Sequence, residues 1–188
     1  MESASRSTSA ALPRESDRVQ HDARVRALVE RYFDSVWRAL KRLGVPEGGV
    51  DDAAQQVFLV ASRRLDEIEP HGERAYLLGV ALRVAADARR ALLRRREVPM
   101  DDSTALTAPP ALPVEERLDE ERALRQLSAH LAELPDEMRE AFVLFELDEL
   151  SAPEVAALLG VPVGTVASRV RRARDSIRQH LTRKRGPS

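Results

Sequence analysis

Apolar residues recur every three or four positions through the first half of the chain, the spacing that places side chains on one face of an α-helix. The first stripe predicts a helix over about 19–43, which Gly44 and Pro46 would end. A later stripe predicts a helix over 73–96, whose apolar face comprises Leu77, Leu78, Ala81, Leu82, Ala85, Ala88 and Leu92. Few segments are rich in β-branched and aromatic residues, so strands are not expected.

Between these two helices lies a shorter predicted helix with an apolar face and an acidic, amide-rich face. Asp51 or Asp52 is expected as its N-cap, where a carboxylate also favours the helix dipole. Its apolar residues are Val57, Phe58, Ala61, Leu65 and Ile68. The three stripes together predict a helical unit over 19–96, preceded by a disordered tail over 1–18.

The periodicity stops over 97–113, a segment that holds four of the chain's eleven prolines. This composition predicts a flexible linker and a domain boundary. Helical spacing resumes over 114–133, and a further helix is expected from Pro135. The pattern therefore predicts an all-α protein of two small helical domains, the second over 114–188.

The second domain carries the signals of a helix-turn-helix. Ser151 and Glu154 have capping-box spacing, Gly160 supplies the positive φ of a sharp turn, and Pro162 suits the first turn of the next helix. That helix is expected to bury Val163, Val166, Val170, Ala173 and Ile177. Its other faces carry the candidate DNA-binding residues Thr165, Ser168, Arg169, Arg171, Arg172 and Arg174. A helix of this kind fits the major groove, where arginines reach base edges or phosphates.

The formal net charge of −1 conceals a strong segregation of charge along the chain. Residues 83–96 carry six arginines against one acidic residue, and residues 163–188 carry eight basic residues against one. The intervening residues 101–154 are mostly acidic. Two basic patches favour two contacts with a polyanion, and ordinary solvated helix faces are the alternative.

Composition excludes several kinds of chemistry. The chain has no cysteine, which removes disulfides, thiolate metal sites and cysteine nucleophiles and fits a reducing cytoplasm. No apolar run is long enough for a membrane span, and no secretory signal is visible. The four histidines are scattered, so no metal site, cofactor or catalytic residue is predicted. Glu146, Asp148 and Glu149 are interpreted as an acidic helix end.

Three segments in the expected order carry a resemblance to a known family, over about residues 26–182. The second-domain positions are Leu134-Pro135, Arg139-Glu140, Gly164-Thr165-Val166, Ser168-Arg169 and Arg172-Ala173-Arg174. They closely resemble the C-terminal domain of extracytoplasmic-function (ECF) sigma factors of the sigma-70 family. VDDAAQQVFLVASRRLDEI is similar to that family's polymerase-binding helix. ERAYLLGVALRVAADARRALLRRR resembles the helix that reads and melts the −10 promoter element.

The resemblance implies a non-catalytic, cytoplasmic alternative sigma factor that binds core RNA polymerase and directs promoter-specific initiation. It implies that polymerase is bound through Asp51, Asp52, Gln55, Gln56 and Phe58. The melted −10 element would be contacted by Arg83, Asp87, Arg89 and Arg90. Double-stranded −35 DNA would be contacted by the helix-turn-helix residues named above. An anti-sigma factor is a further implied partner.

Three positions depart from the usual family pattern, and they leave the promoter sequence open. Tyr76 stands where the family usually has Trp, Arg83 where it usually has Asn, and Ala167 where it often has Arg or Lys. The latter two positions are thought to face DNA, so their hypothesised contacts are a guanine or phosphate for Arg83 and a thymine methyl for Ala167.

Three other functions are alternatives to this interpretation. A stand-alone helix-turn-helix regulator would dimerise on paired half-sites, but it leaves the acidic helix at 51–68 without a role. An enzyme would require a catalytic cluster or a phosphate-binding loop, and neither is visible in the sequence. A membrane-surface helix over 74–96 would lack aromatic anchors.

Overall fold

The computed structural model describes residues 15–69, 71–97 and 127–185, and all regular elements within those ranges are helical. The all-α prediction is therefore confirmed. The seven helices are α1 Glu15–Arg42, α2 Val50–Ser62, α3 Glu73–Glu97, α4 over 127–133, α5 Asp136–Phe142, α6 Ala152–Leu159 and α7 Val163–Arg185. A π-helical turn, Val143–Leu147, continues α5. None of the helices in these ranges is long and apolar enough to cross a bilayer.

The helix boundaries differ from the predicted ones at a few points. Helix α1 begins at Glu15, inside the predicted tail, and acidic residues occupy its first turn, where they favour the helix dipole. Helix α3 ends at Glu97, the first residue of the predicted linker. The rest of that linker, and the predicted helix as far as residue 126, lie outside the described residues.

Helices α1, α2 and α3 pack together around the apolar stripes that the sequence predicted. All five residues of the α2 stripe are buried, although Leu65 and Ile68 lie beyond the end of α2, in and after a 3₁₀ turn at Leu65–Glu67. The predicted N-cap is wrong, because α2 begins at Val50 and Gly49 occupies the cap position without a side-chain hydrogen bond. Asp51 instead accepts a hydrogen bond from Trp37 Nε1 at 2.9 Å.

The helix-turn-helix is formed by α6 and α7 and has the local signals that the sequence predicted. The Ser151 backbone N–H donates to Glu154 Oε2 at 2.8 Å, and the Glu154 N–H donates to Ser151 Oγ at 3.4 Å, which closes the capping box. Gly160 ends α6 in the left-handed conformation, with φ 64°. The expected burial of Val163 is wrong: it is 46% exposed, because it is the first residue of α7 and precedes the face that packs.

The first helical unit comprises α1–α3 and the second comprises α4–α7. The two units pack against each other where the end of α1 meets α5. Gly44, with φ 91°, terminates α1, and the Val45 N–H donates to Leu40 O at 3.1 Å. A Cβ atom on Gly44 would overlap the guanidinium of Arg139, which is 6% exposed. A second close approach joins α3 to α6, where a Cβ atom on Gly79 would lie 2.7 Å from Leu158 Cδ2.

Three glycine-to-alanine changes separate the two constraints at Gly44. Gly44→Ala combines positive φ with an overlap on Arg139, Gly160→Ala has positive φ but open space, and Gly48→Ala has neither. Chemical denaturation should show losses of unfolding free energy of about 2–3 kcal/mol, about 1 kcal/mol and about zero, respectively. Equal losses for Gly44→Ala and Gly160→Ala would contradict the close packing of Arg139 on the end of α1.

Candidate nucleic-acid and protein interfaces

The acidic and amide residues of α2 form one exposed face, opposite the packed stripe. Asp51, Asp52, Gln55 and Gln56 are all exposed, as expected for a surface that contacts another protein. Phe58 differs from the other predicted members of this site, because it is 7% exposed. Its ring stacks on Phe33, with 6.2 Å between ring centroids. The structure therefore places Phe58 in the core, where it supports the α2 face from beneath.

The structure identifies an apolar residue on this face that the sequence reasoning missed. Leu59 is 46% exposed and lies one helical turn after Gln55 and Gln56. An exposed leucine beside carboxylate and amide groups is typical of a protein-binding surface, whose centre is apolar and whose rim is polar. The signal was present in the sequence, because Leu59 stands three residues after Gln56 and outside the apolar stripe of α2. We call Asp51, Asp52, Gln55, Gln56 and Leu59 the α2 face.

The predicted −10 residues on α3 divide into an exposed set and a residue bound within the protein. Arg83 is exposed, and so are Asp87 and Arg90, which form an ion pair one helical turn apart. These three side chains are accessible to a ligand. Arg89 lies on another side of the helix and its side chain is only 12% exposed.

Arg89 links the first helical unit to the second. Its Nη1 donates to Leu43 O at 2.6 Å, its Nη2 donates to Glu140 Oε1 at 2.7 Å, and its Nε donates to Asp136 Oδ2 at 3.2 Å. Asp136 also pairs with Arg139, whose Nη2 donates to Leu134 O at 3.1 Å. Loss of hydration on burial lowers the pKa of the Arg139 guanidinium. In this arrangement Arg89 holds the two units together and is unavailable to DNA.

The six predicted −35 residues on α7 also divide by their surroundings. Arg171 and Arg172 are exposed and form no ion pair with any residue that the structure describes. Arg169 donates to Glu137 Oε2 at 2.6 Å, and Arg174 pairs with Glu146, so both bind the preceding helical segment. Thr165 and Ser168 are partly buried, and Ser168 Oγ donates to Thr165 O at 2.9 Å.

The outward side of α7 consequently has a defined composition. Its accessible positions include Gly164, Ala167, Arg171 and Arg172. Small residues near the N-terminus of the helix allow close approach to a DNA backbone, and the helix dipole favours phosphate there. The two unpaired arginines one to two turns later are long enough to reach base edges or phosphates. This geometry suits a helix that enters a major groove.

Asp148 is a buried carboxylate at the junction between the units. It is 3% exposed, and its Oδ1 lies 3.8 Å from Arg42 Nη1. Burial raises the pKa of Asp148 to about 6, although Arg42, Arg74 and Arg38 of the first unit oppose the rise. Asp148 was interpreted from sequence as part of an acidic helix end, and it directly follows the π-helical turn Val143–Leu147. The structure adds that its carboxyl group is buried close to Arg42 of α1.

Known proteins resemble both halves of the chain. The sequence model of the family "Sigma-70, region 4" matches residues 124–177, which include α5, α6 and most of α7. The chain is 35% identical to the ECF RNA polymerase sigma-E factor of Escherichia coli over 161 residues, which cover 80% of this chain and 82% of that protein. It is 31% identical to the ECF RNA polymerase sigma factor SigE of Mycolicibacterium smegmatis over 158 residues, or 83% of this chain but only 61% of that protein.

Two solved structures resemble the fold at a TM-score of 0.62. CnrH, in complex with the cytosolic domain of CnrY, is 27% identical, and the match covers 89% of this chain and 98% of CnrH. The sigma factor RpoE from Bartonella quintana, in complex with the anti-sigma factor NepR, is 21% identical, and the match covers 82% of this chain and 94% of RpoE. At that identity the RpoE structure supports the fold alone.

The raised pKa of Asp148 predicts a pH dependence of stability with a definite sign. Because the folded-state pKa of about 6 exceeds the ordinary value of 3.8, the folded protein binds the proton more tightly. Lowering the pH through 6 should therefore stabilise the wild type, by about 1 kcal/mol between about pH 7.5 and about pH 5 relative to Asp148→Asn. Denaturation of both proteins at several pH values measures this difference.

Asp52→Asn provides the matched control, because it neutralises an exposed carboxylate on α2 that does not contribute to the raised pKa of Asp148. The difference between wild type and this control should not follow the titration of Asp148. A stability difference between wild type and Asp148→Asn that stayed constant from pH 7.5 to pH 5 would contradict the assigned burial of Asp148.

Proposed function

The chain belongs to the ECF RNA polymerase sigma factors of the sigma-70 family, and from this premise we propose that it binds core RNA polymerase and directs it to promoters. The observation that carries the proposal is the helix-turn-helix within the matched region, whose second helix presents Arg171 and Arg172 on an open face. We infer that this protein has no catalytic activity of its own and acts in the cytoplasm, where polymerase and DNA meet.

In this proposal α7 contacts the −35 element as double-stranded DNA. Arg171 and Arg172 contact bases or phosphates, and the small residues Gly164 and Ala167 allow close approach at the N-terminal end of the helix. Arg169 and Arg174 have a different role. Their ion pairs with Glu137 and Glu146 fix α7 against α5 and the π-helical turn that continues it. Fixing the helix in this way lowers the conformational entropy that it loses on binding.

The −10 element is contacted by α3 in the same proposal. Arg83 and Arg90 are accessible in the structure described, and Asp87 lies beside Arg90. Arg89 joins them only if its bonds to Asp136 and Glu140 are released. The prediction that Arg89 contacts DNA therefore depends on separation of the two helical units.

Distances on DNA favour such a separation. The two promoter elements are named for positions about 25 base pairs apart, which at a rise of about 3.4 Å per base pair is roughly 85 Å. A compact chain of this length has a radius of gyration of about 16 Å, hence a diameter near 40 Å. The packed units are too close together to contact both elements at once. We propose that polymerase binds the separated form, in which each unit contacts its own element.

The proposed partners follow from the same surfaces. Core RNA polymerase is proposed to bind the α2 face, which combines an exposed leucine with acidic and amide groups. An anti-sigma factor is proposed as an alternative partner, and the similarity to CnrH, which was solved bound to a segment of another protein, supports this. A stand-alone regulator is less supported, because the relatives match both helical units and not the helix-turn-helix alone.

The test is binding of the purified full chain to core RNA polymerase, measured by co-elution and by titration. Leu59→Arg should weaken binding at least tenfold, or by about 1.4 kcal/mol, because it places a charge at the apolar centre of the α2 face. Since Leu59 is 46% exposed, this substitution should leave the fold intact. Phe58→Ala is unsuitable, because it would remove a core ring.

Val19→Arg is the matched control, since Val19 is an exposed apolar residue on α1, 66% accessible, and does not belong to the α2 face. It should bind polymerase like the wild type. Failure of the wild type to bind core polymerase would overturn the proposed function. Equal binding by the wild type and Leu59→Arg would overturn only the assignment of the α2 face.

A further inference from the structure

We infer that His130, Glu133 and His180 form a binding site for a divalent transition-metal ion in the C-terminal unit. Their side chains offer two imidazole nitrogens and a carboxylate oxygen, all within 4.8 Å of one another. The two imidazole rings lie 3.8 Å apart between centroids, tilted by 53°. His180 Nδ1 lies 3.2 Å from Glu133 Oε2. This site is distinct from the α2 face and from the outward side of α7.

The fold explains why these three side chains converge. His130 and Glu133 are three residues apart on α4, so they lie on the same side of that helix. His180 comes from the last third of α7, one turn beyond Ile177, which packs against the hydrophobic core. The histidines are separated by fifty positions in the sequence, so their spacing gave no motif and no metal site was predicted.

The three side chains differ in burial. His130 is 4% exposed, and its environment fixes the position of its ring. The side chain of His180 is 33% exposed and that of Glu133 is 64% exposed. The open side offers an entry path for an ion and room for a water molecule as an additional ligand. The two accessible side chains can also move without disturbing the core.

The donor set selects the class of metal. Two histidines and one glutamate are a known three-ligand set for tetrahedral Zn²⁺, with a water in the fourth position. With metal–ligand bonds of about 2.0–2.2 Å, tetrahedral donors lie about 3.3–3.6 Å apart. Contraction of the cluster by roughly 1 Å, through His180 and Glu133, would reach that geometry. Imidazole nitrogen favours Zn²⁺, Cu²⁺, Ni²⁺ and Co²⁺ over Mg²⁺ and Ca²⁺.

The ion would join the end of α7 to α4. Because the bound ion contacts only the folded arrangement of the two helices, its binding stabilises the C-terminal unit. A His180–Glu133 ion pair without any metal is the alternative explanation of the same geometry. The two explanations differ in whether the protein binds a transition metal with a defined stoichiometry.

The experiment uses the full chain prepared without a polyhistidine tag. Titration with Co²⁺ should produce the visible absorption bands of a tetrahedral site at a ratio of one ion per chain, and Zn²⁺ should abolish them by displacement. His180→Ala and Glu133→Gln should each weaken binding at least tenfold. Zn²⁺ should raise the melting temperature of the wild type but not that of His180→Ala. His180 is preferred to the buried His130 as the position for the test, because its substitution leaves the core intact.

His71→Ala is the matched control, since His71 is exposed and lies before α3 in the other unit. It should bind Co²⁺ and Zn²⁺ like the wild type. The inference is overturned if the wild type shows no saturable binding of Co²⁺ or Zn²⁺ below about 100 μM, or if His180→Ala binds as tightly as the wild type. Either result would leave the His180–Glu133 ion pair as the explanation of the cluster.

Discussion

The contacts of two arginines, Arg89 and Arg139, determine how the two halves of this chain are arranged. Arg89 extends from α3 to the end of α1 and to two carboxylates of α5. Arg139 extends from α5 against Gly44, where the absence of a side chain makes room for its guanidinium. Both are shielded from water, so removal of one partner would leave a buried charge uncompensated. The packed arrangement therefore depends on the ion pairs that Arg89 forms across the junction with Asp136 and Glu140.

A junction held by buried ion pairs suits a protein whose two helical units must separate. Exchange of buried ion pairs for water or for nucleic-acid phosphate costs less than exposure of an equal apolar surface, because charges regain hydration on separation. Arg89 is the clearest case, since its α3 neighbours Arg83 and Arg90 are accessible while it remains bound to Asp136 and Glu140. The same guanidinium can serve the packed form and, once released, the contact with DNA. Asp148 adds a buried carboxyl group to this junction.

The sequence was sufficient for those features that depend on local periodicity and local hydrogen bonding. The stripes of α1–α3, the capping box at Ser151 and the left-handed Gly160 depend on neighbours within a few residues, and the structure has all three. Phe58 and Leu59 show where prediction from sequence fails. The pattern placed Phe58 in the apolar stripe of α2, but the family resemblance assigned it to the polymerase-binding surface. Leu59 was not predicted to belong to that surface. The structure buries Phe58 against Phe33 and exposes Leu59. The bonds of Arg89 and the pairing of His130 with His180 depend on packing between segments far apart in sequence, which periodicity does not encode.

The most direct test of this account is the distance between the two helical units, free and bound to polymerase. The chain has no cysteine, so Arg63→Cys near the end of α2 and Ser176→Cys on α7, both exposed, can carry a specific pair of spin labels. The account predicts one short distance in the free protein and an increase of about 20 Å or more with core polymerase and promoter DNA, as the promoter spacing requires. An unchanged distance in a complex that initiates transcription would contradict it.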